Sequence, residues 1–304
     1  MGTKTFVIVG LGEILWDLFS AKKQLGGAPA NFAYITSLLG DDARIASRIG
    51  RDALGAEAIQ ALKSLHLDVS NIQEDVLHPT GTVRVSLKPG GQPVYQIAEG
   101  VAWDFLERSD GWSNLARQAD AVCFGSLAQR TASSRETILD FLRHLRPGAL
   151  RVFDVNLRQQ FFTREILDQS AQSGDIVKCN QEELFIVAKL LGSSEKDLHA
   201  SAHWLLQAYR LKLLCVTRGE QGSILFSPSA THSHPGCQSS VVDTVGAGDA
   251  FTAGLVHHYL RGSSLQNMNE AANQMGGWVA SQAGAMPIAD PIVLERVRAC
   301  APRA

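Results

Sequence analysis

The chain has 304 residues, of which 45% are hydrophobic and 19% are charged. Its 28 Lys and Arg and its 30 Asp and Glu give a formal net charge of −2. These values exclude a disordered or fibrous chain, and they predict no strong electrostatic attraction to nucleic acid or to an anionic membrane. At about 150 residues per domain the length allows two units, although a single large α/β domain of this size is common.

The cysteines and the apolar runs indicate the compartment. The five cysteines form no Cys-x-x-Cys pair, a pattern typical of a reducing cytoplasm without structural disulfides. No apolar run reaches the ~18 residues of a membrane helix. The apolar stretch that begins near residue 6 is too short for a signal peptide. We therefore expect a cytoplasmic protein whose partners include neither a membrane nor nucleic acid.

Short apolar runs alternate with helical patterns along the chain. Residues 6–11 are predicted to form a buried strand, and residues 29–39 a helix with Pro29 in its first turn and Gly40 after its end. Further strands are predicted at 121–124, 150–155, 175–179 and 211–217, with helices at 135–145 and 182–191. This alternation, with near-continuous apolar strands, predicts a parallel sheet covered by helices on both faces.

Three segments depart from this alternation. Residues 13–19 continue directly from the first strand. Residues 82–87 and 94–97 alternate polar and apolar side chains around a turn rich in Pro and Gly, which predicts a small accessory sheet or lid. Residues 227–240 hold five Ser and two Pro and are predicted to form a surface loop.

A glycine-rich turn at 246–248 precedes a predicted helix from about residue 249 to 260. Gly246 and Gly248 would let a ligand approach the backbone closely. The first-turn N–H groups of a helix lack partners within it and carry the positive end of its dipole, so this turn predicts an anion site. Asp249 could take a proton from an attacking hydroxyl, or it could serve only as a helix cap.

A second set of polar residues lies near the first strand. Gly26 and Gly27 would bring the backbone close to a ligand, and the Asn31 amide can donate to and accept from a sugar hydroxyl. Asp17 carries a carboxylate that can bind two neighbouring hydroxyls. A simple turn, a solvent-facing amide and a surface charge remain the alternatives for these residues.

Three further patterns have a structural and a functional interpretation. Asn180 and Glu183 have the spacing of a helix capping box. Arg158 follows a predicted strand, at the edge where open α/β sheets bind ligands, and could bind phosphate or sugar oxygens or form a surface salt bridge. Residues 217–222 lie between two strands and fit a hairpin turn as well as a nucleotide site.

Five motifs together resemble the ribokinase-like carbohydrate kinases, also called the phosphofructokinase B type. They occur in the family's order, and the resemblance covers residues from about 10 to 287. The motifs are Gly26-Gly-Ala-Pro-Ala-Asn31-Phe-Ala, Gly50-Arg-Asp52-Ala-Leu-Gly55, Asn180-Gln-Glu-Glu183, Thr217-Arg-Gly-Glu-Gln-Gly222 and Asp243-Thr-Val-Gly-Ala-Gly-Asp249-Ala-Phe. The resemblance implies one domain over residues 1–304, a three-layer α/β/α sandwich with a mainly parallel sheet. It also implies a small β-lid built from about residues 13–25 and 81–102.

The resemblance also implies roles for single residues. Asp249 would be the catalytic base, and the backbone around Gly246, Ala247 and Gly248 would form an anion hole for the γ-phosphoryl group of ATP. The implied sugar contacts are Asp17, Gly27, Asn31 and Arg158. The implied nucleotide contacts are Lys178, Asn180, Thr217, Gly219, Gly222, Gly246, Gly248 and Asn273. Glu183 would organise Mg²⁺ through water, and Asp243 would contribute to a site for a monovalent cation, usually K⁺.

Within the family, the chain most resembles the fructokinases, which implies ATP-dependent conversion of D-fructose to fructose 6-phosphate by a homodimer. Gly12-Glu13 and Asn156-Leu-Arg158 support this comparison, whereas Val155 stands where fructokinases often have Pro. One alternative is a 2-keto-3-deoxygluconate kinase, whose acidic substrate would need a positively charged lid, supplied by Arg84 and Lys88. The other is a catalytically idle sugar-binding regulator on the same fold.

Two weaker patterns are set aside. Gly10-Leu-Gly12 resembles the start of a dinucleotide fingerprint, but Leu15 replaces its third glycine. His232, His234 and Cys237 lack an evident fourth zinc ligand.

Overall fold

A nine-stranded sheet forms the centre of the protein in the computed structural model, which describes residues 4–20, 22–87, 93–238 and 240–300. The strands are β1 (Val7–Leu11), β2 (Leu15–Leu18), β3 (Lys23–Gly26), β4 (Asp42–Gly50), β5 (Ile72–Asp75), β6 (Gly81–Leu87), β7 (Pro93–Ile97), β8 (Ala121–Gly125), β9 (Leu150–Asp154), β10 (Ile176–Asn180), β11 (Leu213–Thr217), β12 (Ser223–Phe226) and β13 (Thr231–His234). The helices are α1 (Ala28–Leu38), α2 (Ala53–Ser64), α3 (Asp110–Gln118), α4 (Ala132–Arg143), α5 (Arg164–Ser173), α6 (Gln181–Leu191), α7 (Leu198–Ala208), α8 (Ala247–Tyr259), α9 (Leu265–Ala280) and α10 (Pro291–Ala299).

The central sheet is mainly parallel, as predicted. Its order is β13-β12-β11-β10-β9-β8-β1-β4-β5, and only the pairs that involve β12 and β13 are antiparallel. Because successive side chains of a strand point to opposite faces, Ile8 and Val9 belong to different hydrophobic clusters. The Val9 cluster includes side chains of α3 to α7, and the Ile8 cluster includes side chains of α1, α8, α9 and α10. The predicted three layers are therefore present.

Two predictions about local structure were wrong. Residues 231–234 form strand β13, which pairs antiparallel with β12, so the predicted loop over 227–240 is shorter. An edge strand needs only one partner, and Thr231 and Ser233 of this strand face outward without an apolar pattern. Residues 13–19 do not continue the first strand, because the chain turns at Gly12 (φ +147°) and enters a second sheet at Leu15.

The second sheet has four strands in the order β3-β2-β6-β7, drawn from the two segments predicted for the lid. Paired residues share a face, so Asp17 lies on the face of Gln24 and Val83, whereas Arg84 pairs with Leu18 on the opposite face. Arg84 therefore points away from Asp17. Lys88 lies outside the described residues. None of the described helices has the length and apolar character needed to cross a membrane.

Candidate active site

Helix α8 begins at a turn that requires glycine. Gly246 adopts φ +78°, a left-handed conformation, and a Cβ at this position would overlap the Cβ of Ala285. The helix starts at Ala247, two residues before the predicted start. Ala247, Gly248 and Asp249 therefore form its first turn, whose N–H groups lack helical acceptors and favour an anion.

Asp249 lies at this helix terminus and contacts helix α1. Asn31 Nδ2 donates a hydrogen bond to Asp249 Oδ2 at 2.8 Å, a contact that joins two of the predicted motifs. Burial and the charge of Asp154 raise the pKa of Asp249 to about 6, although the Asn31 hydrogen bond and the charges of Lys178 and Arg158 oppose this shift. Asp249 can therefore release and accept a proton near neutral pH.

A buried group of polar side chains packs against the first turn of α8. Lys178 Nζ lies 3.0 Å from Asp154 Oδ1, and Thr252 Oγ1 donates to Asp154 Oδ2 at 2.8 Å. A Cβ on Gly248 would lie 2.9 Å from Lys178 Nζ, so the ammonium lies directly against the turn. Burial lowers the pKa of Lys178, but the carboxylates of Asp154, Asp249 and Glu183 outweigh this effect and raise it. Lys178 therefore remains positively charged beneath the predicted anion hole.

The residues predicted to bind sugar converge on the other side of Asp249. Arg158 is exposed, its Nη1 donates to the Leu157 carbonyl at 3.1 Å, and its charge lowers the pKa values of Asp17, Glu13 and Asp249. Burial still raises the pKa of Asp17 to about 6. A Cβ at Gly27 (φ +109°) would overlap the Glu13 carbonyl oxygen, so glycine allows α1 to approach this segment.

Glu13 belongs to this cluster, and the sequence analysis did not assign it to the site. It is 4% exposed, and its Oε2 has no hydrogen-bond partner among the described residues. Burial raises its pKa to about 7, and the charge of Asp249 adds to this effect against the backbone amides of Glu13 and Ala28. Its position after β1, at the same sheet edge as Asp154 and Arg158, is the sequence signal that could have identified it.

A cavity of about 730 Å³ lies on the opposite side of the α8 turn. Five of the predicted nucleotide residues line it, and Lys178, Asn180 and Gly246 do not. The lining predicted residues are Thr217, Gly219, Gly222, Gly248 and Asn273. Its volume suits a small organic ligand or cofactor. Asn273 also serves the fold, because its Nδ2 donates to Ser223 Oγ at 2.8 Å and so connects α9 to β12.

Asn180 and Glu183 form the capping box that their spacing predicts. Asn180 Oδ1 accepts from Glu183 N at 2.8 Å, and Glu183 Oε2 accepts from Asn180 N at 2.9 Å. Glu183 Oε1 accepts from the backbone of Leu157 at 2.8 Å, so both carboxylate oxygens already have a backbone donor. Their remaining lone pairs fit water held by a hydrated Mg²⁺, a common mode for this ion. The described residues hold no cluster of three or more His, Cys, Asp or Glu that could bind a metal directly.

Asp243 connects two loops. Its Oδ1 accepts from Val245 N at 3.0 Å and its Oδ2 from Gly284 N at 3.2 Å. The carboxylate therefore holds the approach to α8 against the loop that follows α9, and its remaining lone pairs could face a monovalent cation.

The patterns set aside in the sequence have structural roles. A Cβ on Gly10 would overlap the Pro29 carbonyl oxygen, so this glycine allows α1 to pack closely on β1. His234 Nε2 lies 2.9 Å from Glu270 Oε2, and His232 Nδ1 lies 3.1 Å from Asn269 Nδ2. The two histidines thus contact helix α9 separately.

Comparisons with known proteins identify the family of the chain. Residues 11–291 match the pfkB family carbohydrate kinase model. The chain is 33% identical to a fructokinase of Salmonella typhimurium over 269 residues, which are 84% of each chain. A sugar kinase of Pyrococcus horikoshii is 29% identical over 298 residues, which are 92% of this chain and 91% of that protein.

Solved structures show the same fold. The crystal structure of that Pyrococcus horikoshii sugar kinase, described as uncharacterized, gives a TM-score of 0.81 at 28% identity over 92% of this chain and 93% of that one. A fructokinase with bound ATP from Xylella fastidiosa gives 0.83 at 22% identity over 97% of both chains. The ribokinase-like fold implied by the motifs is therefore confirmed, and the chain belongs to the pfkB family of carbohydrate kinases.

Proposed function

We propose that this carbohydrate kinase is an ATP-dependent fructokinase that converts D-fructose to fructose 6-phosphate. The observation that carries this proposal is that the first turn of α8 lies between the large cavity and the cluster of carboxylates. Gly248 lines the large cavity, whereas Asp249 contacts Asn31 on the side of the carboxylate cluster. A nucleotide in the cavity and a sugar beside Asp249 would meet at one helix N-terminus.

In the proposed reaction, the sugar hydroxyl oxygen bonds to the γ-phosphorus of ATP. The bond from that phosphorus to the bridging oxygen breaks and ADP leaves, while the hydroxyl proton passes to Asp249. The first-turn N–H groups of α8 and the ammonium of Lys178 would stabilise the negative charge on the transferred group. A positioned base contributes about 10²–10⁴-fold to the rate, which is roughly 3–5 kcal/mol of barrier.

The charges around the acceptor side favour a neutral sugar over a sugar acid. Glu13, Asp17 and Asp249 surround this side, and Arg158 is the cation that acts on all three. Arg84 lies on the other face of the small sheet and so does not supply the positive lid that 2-keto-3-deoxygluconate would need. A substrate carboxylate would thus compete with three protein carboxylates for the guanidinium of Arg158. Hydroxyl groups, in contrast, can donate to carboxylates.

We propose Mg²⁺ as the partner of the ATP phosphates, with Glu183 and Asn180 contacting its water shell. When bound, the ion would neutralise phosphate charge. K⁺ beside Asp243 is part of the same proposal. Activity that disappears on chelation of Mg²⁺ and rises when K⁺ replaces a bulky organic cation would support the two ions separately.

We also propose a cytoplasmic homodimer. The face of the small sheet opposite Asp17 bears Leu18 and Leu25, which pack in part against the hydrophobic cluster of the body and whose remaining exposed surface could be covered by a second copy. The cytoplasmic location is supported by the five cysteines, which are all free thiols, as expected in a reducing compartment. Light scattering should give twice the chain mass of 32.8 kDa, and a monomeric mass would remove the dimer from the proposal.

ADP release tests the function directly. Mg-ATP and K⁺ are supplied with fructose, 2-keto-3-deoxygluconate, ribose, glucose, mannose or adenosine, each in separate reactions. A dominant rate with fructose supports the proposal, and a dominant rate with another sugar overturns the substrate while it keeps the mechanism. Sugar binding without turnover would favour the idle regulator.

A further inference from the structure

The segment from residue 155 to residue 159, which we call the acceptor loop, carries Arg158 and has no regular secondary structure. Asn156 (φ +45°) and Gln159 (φ +49°) both adopt left-handed backbone conformations, which asparagine tolerates and glutamine rarely adopts. At Gln159 such a conformation costs about 1–2 kcal/mol, so surrounding contacts must hold it in place.

Beside the backbone hydrogen bond from Val155 N to the Lys178 carbonyl at 2.9 Å, three side chains connect the acceptor loop to different parts of the molecule. Ser126 Oγ donates to the Val155 carbonyl at 2.8 Å. Leu157 N donates to Glu183 Oε1 at 2.8 Å, at the start of α6. Gln159 Nε2 donates to the Tyr95 carbonyl at 2.6 Å, on strand β7 of the small sheet.

The contact at Glu183 is the strongest of the three in physical terms. The side chain is 8% exposed, and hydrogen bonds to a charged group contribute more than neutral ones. Its other oxygen is fixed by the capping box, so the carboxylate is held rigidly by α6. The residue that follows Leu157 is Arg158, whose charge reaches the acceptor-side carboxylates. One side chain thus connects the start of α6 with the acceptor side of the site.

We propose that Glu183 is a positioning residue for the sugar, because together with Gln159 it holds the acceptor loop in the conformation that places Arg158. This inference rests on the proposed contact between Arg158 and the sugar. It differs from a role in Mg²⁺ organisation, because it requires Glu183 to affect sugar binding when neither nucleotide nor Mg²⁺ is present. It also assigns Gln159 a contact through which the small sheet supports the same loop.

Sugar binding without nucleotide or Mg²⁺ tests the proposal. Isothermal titration with the sugar preferred in the ADP-release panel is carried out on the unchanged protein and on Glu183→Gln, Arg158→Ala and the double variant. The Gln side chain has one acceptor oxygen and cannot serve both Leu157 and Asn180. We expect Glu183→Gln to weaken sugar binding about tenfold, in the range for a lost charged hydrogen bond. The matched control Glu182→Gln, an exposed neighbour in the same helical turn, should bind normally.

The double variant separates a positioning role from general damage. If Glu183 acts through Arg158, Glu183→Gln should have no further effect once Arg158 is absent. Equal losses in both backgrounds would overturn the proposal. So would a Glu183→Gln variant that binds sugar normally but needs more Mg²⁺ for activity. Normal binding by Arg158→Ala would overturn it as well, by removing Arg158 from the sugar contacts.

Gln159→Ala provides a second variant in case Glu183→Gln does not fold. Gln159 is exposed, so its replacement should leave the fold intact. We expect a smaller loss of sugar affinity, about two- to fivefold, that again disappears in the Arg158→Ala background. An unchanged affinity would remove the acceptor loop contacts as determinants of sugar binding. Failure of the protein to bind any sugar would instead contradict the proposed function, a result distinct from all of these.

Discussion

Asp249 combines a shifted pKa with a fixed orientation. Burial and Asp154 raise its pKa to about 6, while Asn31 holds its Oδ2 at 2.8 Å. A base must be deprotonated to accept a proton, so activity should fall as the pH drops through this value. The neighbouring Lys178 and Arg158 limit the shift, which keeps most of Asp249 ionised at neutral pH.

Replacing this carboxylate should affect chemistry more than binding. We expect Asp249→Asn to lower kcat by at least about 10²-fold, because the amide cannot accept the proton. Sugar affinity should change little, since an amide of the same size keeps a hydrogen bond with Asn31. In the unchanged enzyme kcat/KM should decline below about pH 6, and the variant should lack this decline. Turnover close to that of the unchanged enzyme would remove Asp249 from the role of base.

The raised pKa of Glu13 leads to a separate prediction about how the stability of the protein depends on pH. Its pKa rises from 4.5 to about 7 on folding, so the folded chain holds this proton more tightly than the unfolded chain. Well below pH 4.5 the Glu13 carboxyl is protonated in both the folded and the unfolded chain, so its titration does not change the free energy of unfolding. Between about pH 4.5 and pH 7 the unfolded chain ionises while the folded chain keeps its proton, so stability falls by about 3 kcal/mol over this range and changes little above pH 7.

The variant Glu13→Gln removes this titration. Its free energy of unfolding relative to the unchanged protein should therefore increase between pH 5 and pH 8, by about 1–3 kcal/mol. Urea unfolding at four pH values across this range measures the difference. Exposed Glu136→Gln should give a flat difference over the same range. A flat profile for Glu13→Gln would mean that the carboxyl is better solvated than its burial indicates.

At the scale of secondary structure, the start of α8 depends on one backbone conformation. Gly246→Ala adds a strained left-handed residue and an overlap with Ala285, which together should cost about 2–4 kcal/mol of stability. Because the first turn would shift, activity should also fall at least tenfold. Gly262 is the matched control: it has φ +69° but open space around it, so Gly262→Ala should cost about 1 kcal/mol. Equal stability and activity in the two variants would contradict the close packing at Gly246.

The sequence predicts those features that are formed by residues close together in the chain. The turn at 246–249 and the capping box at 180–183 are contained within a few residues, so their motifs predict them. Strand β13 forms only because β12 offers it an edge, and no apolar pattern marks it. The contact of Glu183 with Leu157 spans 26 residues. The raised pKa of Glu13 likewise depends in part on the charge of Asp249 in α8, which lies far along the chain.

At the scale of the whole molecule, the proposed sugar site draws on both sheets. Of the residues proposed to bind sugar, Asp17 lies on the small sheet, whereas Asn31, Arg158 and Asp249 lie on the body. The small sheet contacts the body through the hydrogen bond from Gln159 to the Tyr95 carbonyl of edge strand β7, and through a hydrogen bond from Trp16 Nε1 to the Leu54 carbonyl at 2.9 Å. A sugar that binds both Asp17 and the body would therefore connect the sheets.

This arrangement predicts that sugar, but not ATP alone, stabilises the small sheet. Hydrogen exchange of the β2 and β6 amides should slow several-fold when sugar is added, because a ligand that binds Asp17 and the body together raises the free energy of local opening. Asp17→Asn should lose most of this protection, since its amide is a weaker acceptor. Arg84→Gln, on the opposite face, should retain it. Equal protection by sugar in both variants would mean that sugar stabilises the small sheet without Asp17, and protection by ATP alone would place the nucleotide in contact with that sheet.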